Sequence, residues 1–212
     1  MKNPVAAKTF SNISLAITPL LTPDKLPDGH PQYLTNIMNL IKNAQKSVYI
    51  QLQYIESSKG DGSFYEQLLQ TIADKIAQGK DIKLIESARW GLPWVEKMKM
   101  GGVDLTANIG LQPDVHNKGF VIDSKIAVVS SQNFSPAGVH DNRDAGVVLD
   151  HADIAKYFEA VFLSDWKKAK PASAVPAAPA GVKKAKETAA KPTAKARAKG
   201  KPQGRGRINA QP

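Results

Sequence analysis

The sequence contains no cysteine in its 212 residues. This absence excludes disulfide scaffolds, zinc and iron–sulfur sites with cysteine ligands, and a thiol nucleophile. It leaves the redox compartment open, because a chain without cysteine is compatible with any compartment.

Long apolar runs are also missing. The best candidate, residues 13–21, is much shorter than the roughly 20 residues of a membrane-spanning helix and contains Pro19. No small-x-small cleavage site follows the N-terminal stretch, which does not fit a secretory signal. We therefore expect a cytoplasmic protein without a transmembrane segment.

Acidic residues are almost absent from one end of the chain. Residues 167–212 contain thirteen Lys or Arg and one acidic residue, Glu187, whereas residues 1–166 contain 16 basic and 18 acidic residues. The net charge of +10 therefore resides in this C-terminal segment. The segment has no aromatic residue and no Leu, but thirteen Ala and six Pro. Too little apolar surface is available to offset the entropy of ordering, so we predict a disordered basic tail.

The composition of the tail indicates a partner. Its run of Lys, Ala and Pro (KKAKETAAKPTAKARAKGKPQ) resembles the C-terminal tails of linker histones, which neutralise DNA phosphates without reading sequence. We favour nucleic acid as the partner. Two alternatives remain open, a solubilising appendage without a partner and a segment attracted to anionic phospholipid.

The body reads as alternating helices and strands. After a lead-in over residues 1–30, hydrophobic periodicity and turn residues predict a domain over residues 31–166. Helices are expected at residues 31–45, 64–77, 94–100 and 153–166, and strands at 47–55, 81–86, 120–122, 126–130 and 145–149. Strands 120–122 and 126–130 form a hairpin by spacing. This order predicts an α/β domain with a mixed β-sheet flanked by helices.

Residues 116–149 carry the candidate chemistry. His116 and Lys118 are two residues apart, so both side chains face the same side of an extended strand. Ser131 and Asn133 form a second pair of this kind, and Asp144 follows beyond a loop.

Together these groups suit a phosphodiester. Lys118 can neutralise a phosphoryl oxygen, and Ser131 and Asn133 can contribute hydrogen bonds to bound substrate. His116 can attack phosphorus or shuttle a proton, and Asp144 can orient the imidazole. We predict His116, Lys118, Asn133 and Asp144 as catalytic residues.

The same segment resembles the signature of the phospholipase D superfamily. That signature is His-x-Lys, four residues, Asp, six residues, then Gly-Gly or Gly-Ser, any residue and Asn. His116, Lys118, Asp123, Ser131 and Asn133 fall on it without a gap. The resemblance extends over roughly residues 21–166.

Two positions depart from the family pattern. Ser130 stands where Gly is most frequent, and Asp144 stands where Glu is more frequent.

The resemblance implies attack of one histidine on phosphorus, a phosphohistidine intermediate, and a second histidine that protonates the leaving group. It implies no metal and no cofactor. Because the chain holds one copy of the motif, it also implies a two-fold homodimer that completes the active site. Alternatively, the chain resembles the C-terminal half of two-motif bacterial phospholipase D-like proteins.

Several residues have competing interpretations. Asp123 lies at the hairpin turn, where Asp commonly caps backbone amides, and we interpret it as structural. His140 and Asp141 lack metal-ligand spacing and are interpreted as surface-loop residues. Gln51 and Gln53 face either solvent or the pocket. Trp90 and Trp94 fit core or rim packing better than a base-stacking platform.

Two classes of function follow. The first is a phosphodiesterase that acts on nucleic acid, which the tail favours, or on phospholipid. The second is a non-catalytic DNA-binding protein that keeps the domain as a scaffold. The intact motif favours the enzyme.

Overall fold

The computed structural model describes residues 5–174 of the chain. Within them the elements follow in the order β1 (Ala16–Leu21), α1 (Gln32–Asn43), β2 (Ser47–Leu52), α2 (Phe64–Ala77), β3 (Asp81–Ser87), α3 (Leu92–Met98), β4 (Ile109–Gln112), β5 (Lys118–Ile122), β6 (Ile126–Ser130), α4 (Pro136–His140), β7 (Ala145–Asp150), α5 (Ala152–Trp166) and β8 (Lys170–Pro171).

All eight strands join one sheet in the order β1-β7-β6-β5-β2-β3-β4-β8. Strands β2, β3 and β4 are parallel to one another, and the other neighbours are antiparallel. Helices α1, α2 and α3 contribute to the larger core on one face, and α5 packs on the other. The prediction of an α/β fold with a mixed sheet flanked by helices is confirmed.

Local sequence signals account for the best-predicted helix, α2. Its apolar residues recur at helical spacing and bury Leu68, Leu69 and Ile72. Ser63 caps its start by accepting a hydrogen bond from the Glu66 amide at 3.3 Å. Gly79 adopts a φ of 73° just beyond its end, a conformation that suits glycine.

The central strand β2 differs from its sequence pattern. The alternation of apolar and polar residues predicts that one face of the strand is exposed to solvent. In the structure all six residues of β2 are buried. Gln51 is 7% exposed and donates through Nε2 to Asp165 Oδ2 of α5 at 3.3 Å. Helices cover both faces of this strand, so its polar residues find partners inside the protein.

The sheet extends beyond the predicted domain at both ends. Strand β1 lies within the lead-in of residues 1–30 and pairs with β7, and its Leu20 is fully buried. Residues 167–174 were predicted as part of the disordered tail, but Lys170 and Pro171 pair with Leu111 and Gly110 of β4. Ala172 is also buried, at 1% exposure. The prediction for these eight residues is therefore wrong, because pairing with a sheet edge orders them despite their composition. The rest of the predicted tail, residues 175–212, lies outside the described residues.

Candidate active site

Polar side chains collect at one edge of the sheet because of strand direction. Strands β2 and β3 end at this edge, and β5, antiparallel to β2, begins there. Strand β6 ends beside the start of β5, and β7 begins beside the end of β6. Lys118 therefore pairs with Ser130, and Ser130 pairs with Gly146. We call this edge the motif edge, defined by Lys118, Ser130, Ser131, Asn133 and Asp144.

Lys118 is the first residue of β5 at the motif edge, and His116 lies two residues before the strand. The His116 side chain is exposed, whereas Lys118 is only 8% exposed. Lys118 Nζ donates to the backbone oxygen of His116 at 2.6 Å. Burial lowers the pKa of Lys118 from its ordinary value, and the negative charge of Asp144 opposes this shift. The cation thus lies within electrostatic range of the Asp144 carboxylate.

Asp144 is held by two neighbouring strands. Its Oδ1 accepts a hydrogen bond from the Ser131 hydroxyl at 2.6 Å. Its backbone is clamped by Thr22, just after β1, through Thr22 N to Asp144 O at 3.1 Å and Asp144 N to Thr22 Oγ1 at 3.2 Å. Among residues 5–174, no hydrogen bond of the His116 ring is found, and Ser131 is the side-chain partner of Asp144. The orienting role of Asp144 toward His116 stays a prediction.

Asn133 is fixed by a partner from the central strand. Its Oδ1 accepts from the backbone amide of Gln53 at 3.2 Å, and its Nδ2 donates to Gln53 Oε1 at 3.3 Å. Gln53 therefore belongs to the motif edge, whereas Gln51 lies against α5. Strand β2 ends at Leu52, so Gln53 lies beyond the strand and is not held to its alternation. Its side chain meets Asn133 instead of α5, which separates two glutamines that the sequence pattern left undecided.

Ser130, where the family pattern favours Gly, is accommodated by a glycine on the next strand. A Cβ on Gly146 would lie 2.6 Å from the Cβ of Ser130 and 2.9 Å from the Val129 oxygen. The glycine is therefore not at position 130 on β6 but at its pairing partner on β7, Gly146.

Asp123 lies at the opposite end of the β5–β6 hairpin from the motif edge. Its carboxylate accepts three backbone hydrogen bonds, from Gln45, Lys46 and Ser47, at 2.8, 2.7 and 2.9 Å. These contacts tie the hairpin turn to the segment between α1 and β2. We therefore keep the structural interpretation of Asp123.

Glu86 is a polar residue of this edge that the sequence analysis missed. It lies at the end of β3, is fully buried, and accepts a hydrogen bond from the Ile55 amide through Oε2 at 3.2 Å. Burial raises its pKa to about 8, so the carboxyl group holds its proton at neutral pH. The sequence offers one weak signal for it, a Glu within the apolar strand DIKLIES.

His140 and Asp141 form a local pair at the end of α4, with His140 Nδ1 and Asp141 Oδ1 2.8 Å apart and both side chains exposed. Their exposure agrees with the prediction of surface residues, but His140 is the last residue of helix α4 and not a loop residue. Both residues line a cavity of about 800 Å³ beside the motif edge. Trp94 lines the same cavity.

A comparison with protein families identifies the family of the chain. A family model described as cardiolipin synthase, PLD-like domain matches residues 37–166. The chain belongs to this phospholipase D-like family. The predicted resemblance is thereby confirmed. A search of curated proteins finds no match to the chain.

Solved structures of phospholipase D-like proteins share the fold. Nuc from Salmonella typhimurium, a phospholipase D family member, superposes with a TM-score of 0.56 at 17% identity, covering 74% of this chain and 97% of Nuc. NucT from Helicobacter pylori gives 0.55 at 13% identity, covering 74% and 99%. A phosphatidylserine synthase from Haemophilus influenzae gives 0.51 at 16% identity, covering 74% of this chain and 40% of the synthase.

Membership in the phospholipase D superfamily indicates chemistry on phosphodiesters, either cleavage or transfer. Within residues 5–174, none of the helices is both long and apolar enough to cross a membrane.

Proposed function

We propose that this phospholipase D-like protein is a phosphodiesterase that hydrolyses nucleic acid through a phosphohistidine on His116. The observation that carries the proposal is the gathering of Lys118, Ser131, Asn133 and Asp144 at one sheet edge beside an exposed His116. An exposed imidazole is open to substrate, and a buried ammonium beside it strengthens electrostatic contact with a phosphoryl group.

In the proposed first step, a nitrogen of His116 attacks phosphorus and the bond from phosphorus to the leaving oxygen breaks. A second histidine protonates that oxygen. Water then attacks the phosphohistidine, which releases His116 and the phosphate product. Lys118 and Asn133 stabilise the charge that develops on the phosphoryl oxygens, and Asp144 orients the imidazole. Lys118 supplies the cationic charge, and the proposal assigns no metal and no cofactor to this reaction.

The second histidine comes from a second copy of the chain. One motif supplies one catalytic histidine, and two-fold symmetry would place His116 of each copy at the same composite site. We expect sedimentation at about twice the monomer mass of 22.9 kDa.

Subunit mixing tests this dimer. Equimolar His116→Ala and wild-type chains, exchanged before assay, should show activity below half of the wild-type value, because mixed dimers lack one of the two histidines. Activity of one half after demonstrated exchange would contradict a shared site. An inactive monomer would instead support the alternative, a chain equivalent to half of a two-motif protein.

Nucleic acid is favoured as substrate by the charge of the chain outside the described residues. Residues 175–212 contain ten Lys or Arg and one acidic residue, whereas residues 1–174 contain nineteen basic and eighteen acidic residues. A near-neutral domain joined to a basic segment fits attachment to a polyanion by counterion release. The alternative substrate is phospholipid, which the family description and the phosphatidylserine synthase structure favour. A non-catalytic DNA-binding protein is the further alternative.

A parallel cleavage assay separates these functions. Purified wild-type protein in EDTA is incubated with labelled single-stranded DNA, duplex DNA, RNA and phosphatidylcholine, with His116→Ala as the matched control. We expect cleavage of nucleic acid by the wild type alone. Hydrolysis of phosphatidylcholine without cleavage of nucleic acid would establish the phospholipid alternative. DNA binding without any cleavage would support the non-catalytic alternative.

A further inference from the structure

A large cavity opens beside the motif edge and has no role in the chemistry described above. It measures about 800 Å³, within the roughly 300–1,000 Å³ usual for ligand sites. Its walls come from the segment after β2, the start of α2, and helices α3 and α4. The side chains that matter for its chemistry are Glu56, Lys59, Phe64, Tyr65, Trp94 and Lys97.

Two residues of the cavity wall contact the backbone next to the motif edge. Phe134, the residue after Asn133, offers its backbone oxygen to the Glu56 amide at 2.8 Å and to the Tyr65 hydroxyl at 2.9 Å. Lys118 and Phe120 are two residues apart on β5, so their side chains lie on the same face of the sheet. Phe120 belongs to the same hydrophobic core as Tyr65, which lines the cavity. A strand bound at Lys118 and Asn133 can therefore continue into the cavity without crossing the sheet.

Aromatic surface is available inside it. Phe64 remains 43% exposed although it lies at the first turn of α2, where its ring meets the edge of His30 at a centroid distance of 5.8 Å. Trp94 is half-buried in the opposite helix α3, with Lys97 Nζ 4.0 Å from its ring centroid. Flat aromatic faces next to a cation suit a planar base attached to a phosphate.

The lining combines charged groups with apolar and aromatic surface. Burial raises the pKa of Glu56, and the nearby Lys97 and Lys59 oppose that shift, so charges of both signs lie close together here. An acyl chain would use the apolar part of the lining but would offer no polar partner to Glu56, Lys59 and Lys97. An inorganic anion would leave the aromatic surface unused. A nucleotide uses both parts, since its base is flat and its edges carry donors and acceptors.

We propose that this cavity binds unpaired nucleobases of the strand whose scissile phosphate lies at Lys118 and Asn133, with Trp94 and Phe64 as the stacking surfaces. Bases within a duplex are already paired and stacked, so the cavity selects single-stranded over double-stranded nucleic acid. The inference rests on the proposed function as a nuclease and adds the form of its substrate.

The test compares two oligonucleotides with equal charge. A fluorescently labelled thymidine octamer and an abasic octamer of the same length are titrated into full-length protein in EDTA, with anisotropy as the readout. The His116→Ala background prevents cleavage in all samples. Contacts to phosphates, including those of the basic segment, contribute equally to both ligands.

We expect the thymidine octamer to bind about tenfold more tightly or better, which is within the usual range for aromatic stacking. Trp94→Ala should reduce this preference to nearly one, and Trp94→Phe should keep part of it. Trp90→Ala is the matched control, because Trp90 is 47% exposed but does not line the cavity. Equal binding of both octamers, or a preference that survives Trp94→Ala, would overturn the proposal.

Activity assays distinguish failure of this inference from failure of the proposed function. Trp94→Ala in the wild-type background should lose the preference for single-stranded DNA over duplex, whereas the Trp90→Ala control should keep that preference and hydrolyse bis(p-nitrophenyl) phosphate at the wild-type rate. Cleavage of DNA without a base-dependent preference would overturn the cavity assignment alone. Cleavage of phosphatidylcholine without cleavage of nucleic acid would overturn both.

Discussion

The two ends of the β5–β6 hairpin use residues of one sequence motif in different ways. At the motif edge, Lys118 Nζ donates to the backbone oxygen of an exposed His116, and Asn133 is held by Gln53. At the turn, the Asp123 carboxylate is occupied by three backbone amides. Asp123 follows Lys118 by five residue steps of mostly extended chain, roughly 17 Å. The residues of the proposed chemistry and the structural contacts of Asp123 therefore lie at opposite ends of the hairpin.

The electrostatics of the two ends differ as well. Near the motif edge, burial raises the pKa of Glu86 to about 8. At the turn, burial acts to raise the pKa of Asp123, but hydrogen bonds from Gln45, Ser47 and Lys46 outweigh it and the pKa is lowered. The two carboxyl groups therefore respond to pH in opposite directions, which gives the comparison a direct test.

The largest effect is expected at the motif edge. His116→Ala should lower phosphodiesterase turnover by about a thousandfold or more, because it removes the proposed nucleophile. Its free energy of unfolding should change by less than about 0.5 kcal/mol, since the side chain is exposed. Turnover on bis(p-nitrophenyl) phosphate and urea denaturation measure the two quantities. Wild-type turnover would place the nucleophile elsewhere.

Glu86→Gln should remove a pH dependence of stability. The pKa of Glu86 is raised in the folded protein, so its stabilising contribution is complete below pH 4.5 and is lost as pH rises to about 8. Over that window the wild type should lose roughly a few kcal/mol relative to Glu86→Gln. Gln can still accept the Ile55 amide hydrogen bond. Parallel stability curves for the two proteins between pH 5 and 8 would contradict a protonated Glu86.

Asp123→Ala should act on stability and spare the chemistry. Loss of the carboxylate leaves three backbone amides without their acceptor, at a cost of about 2 kcal/mol. Because the pKa of Asp123 is lowered on folding, its contribution is present at neutral pH and is lost as pH falls through the folded pKa. Asp123→Asn, which keeps one acceptor oxygen, should lie between.

Turnover per folded molecule should remain within about twofold of wild type in both Asp123 variants. A selective loss of turnover in a fully folded Asp123→Asn protein would make Asp123 part of the chemistry and remove the contrast between the two ends.

Deletion of residues 175–212 is expected to have the smallest effect on turnover and on the contacts at the two ends of the β5–β6 hairpin. Turnover on bis(p-nitrophenyl) phosphate should stay within about twofold, because the deletion begins beyond the described residues of the domain. Affinity for long DNA should fall and its dependence on salt should flatten, since each lost phosphate contact removes nearly one unit from the log-log slope. An unchanged slope would exclude this segment as the polyanion-binding element and favour the phospholipid alternative.

Local patterns in the sequence were sufficient for much of the fold. Helix α2 was predicted with its observed bounds, and both strands of the hairpin were found, because helical and strand periodicities are short-range properties. The spacing predicted that His116 and Lys118 share one face of a strand. In the structure β5 begins at Lys118 and β6 ends at Ser130, so His116 and Asn133 lie outside these strands and their roles stay a prediction.

Contacts between distant segments were decided only by the tertiary structure. No local pattern around Thr22 predicts its hydrogen bonds to the backbone of Asp144, 122 residues later. Strand β8, a Lys and a Pro, resembles in composition the basic segment that follows it, so composition does not predict its pairing with β4. Gln51 and Gln53 are equivalent in sequence, but one packs under α5 and the other holds Asn133. These outcomes depend on which strands become neighbours, and strand pairing is a long-range choice that local periodicity does not encode.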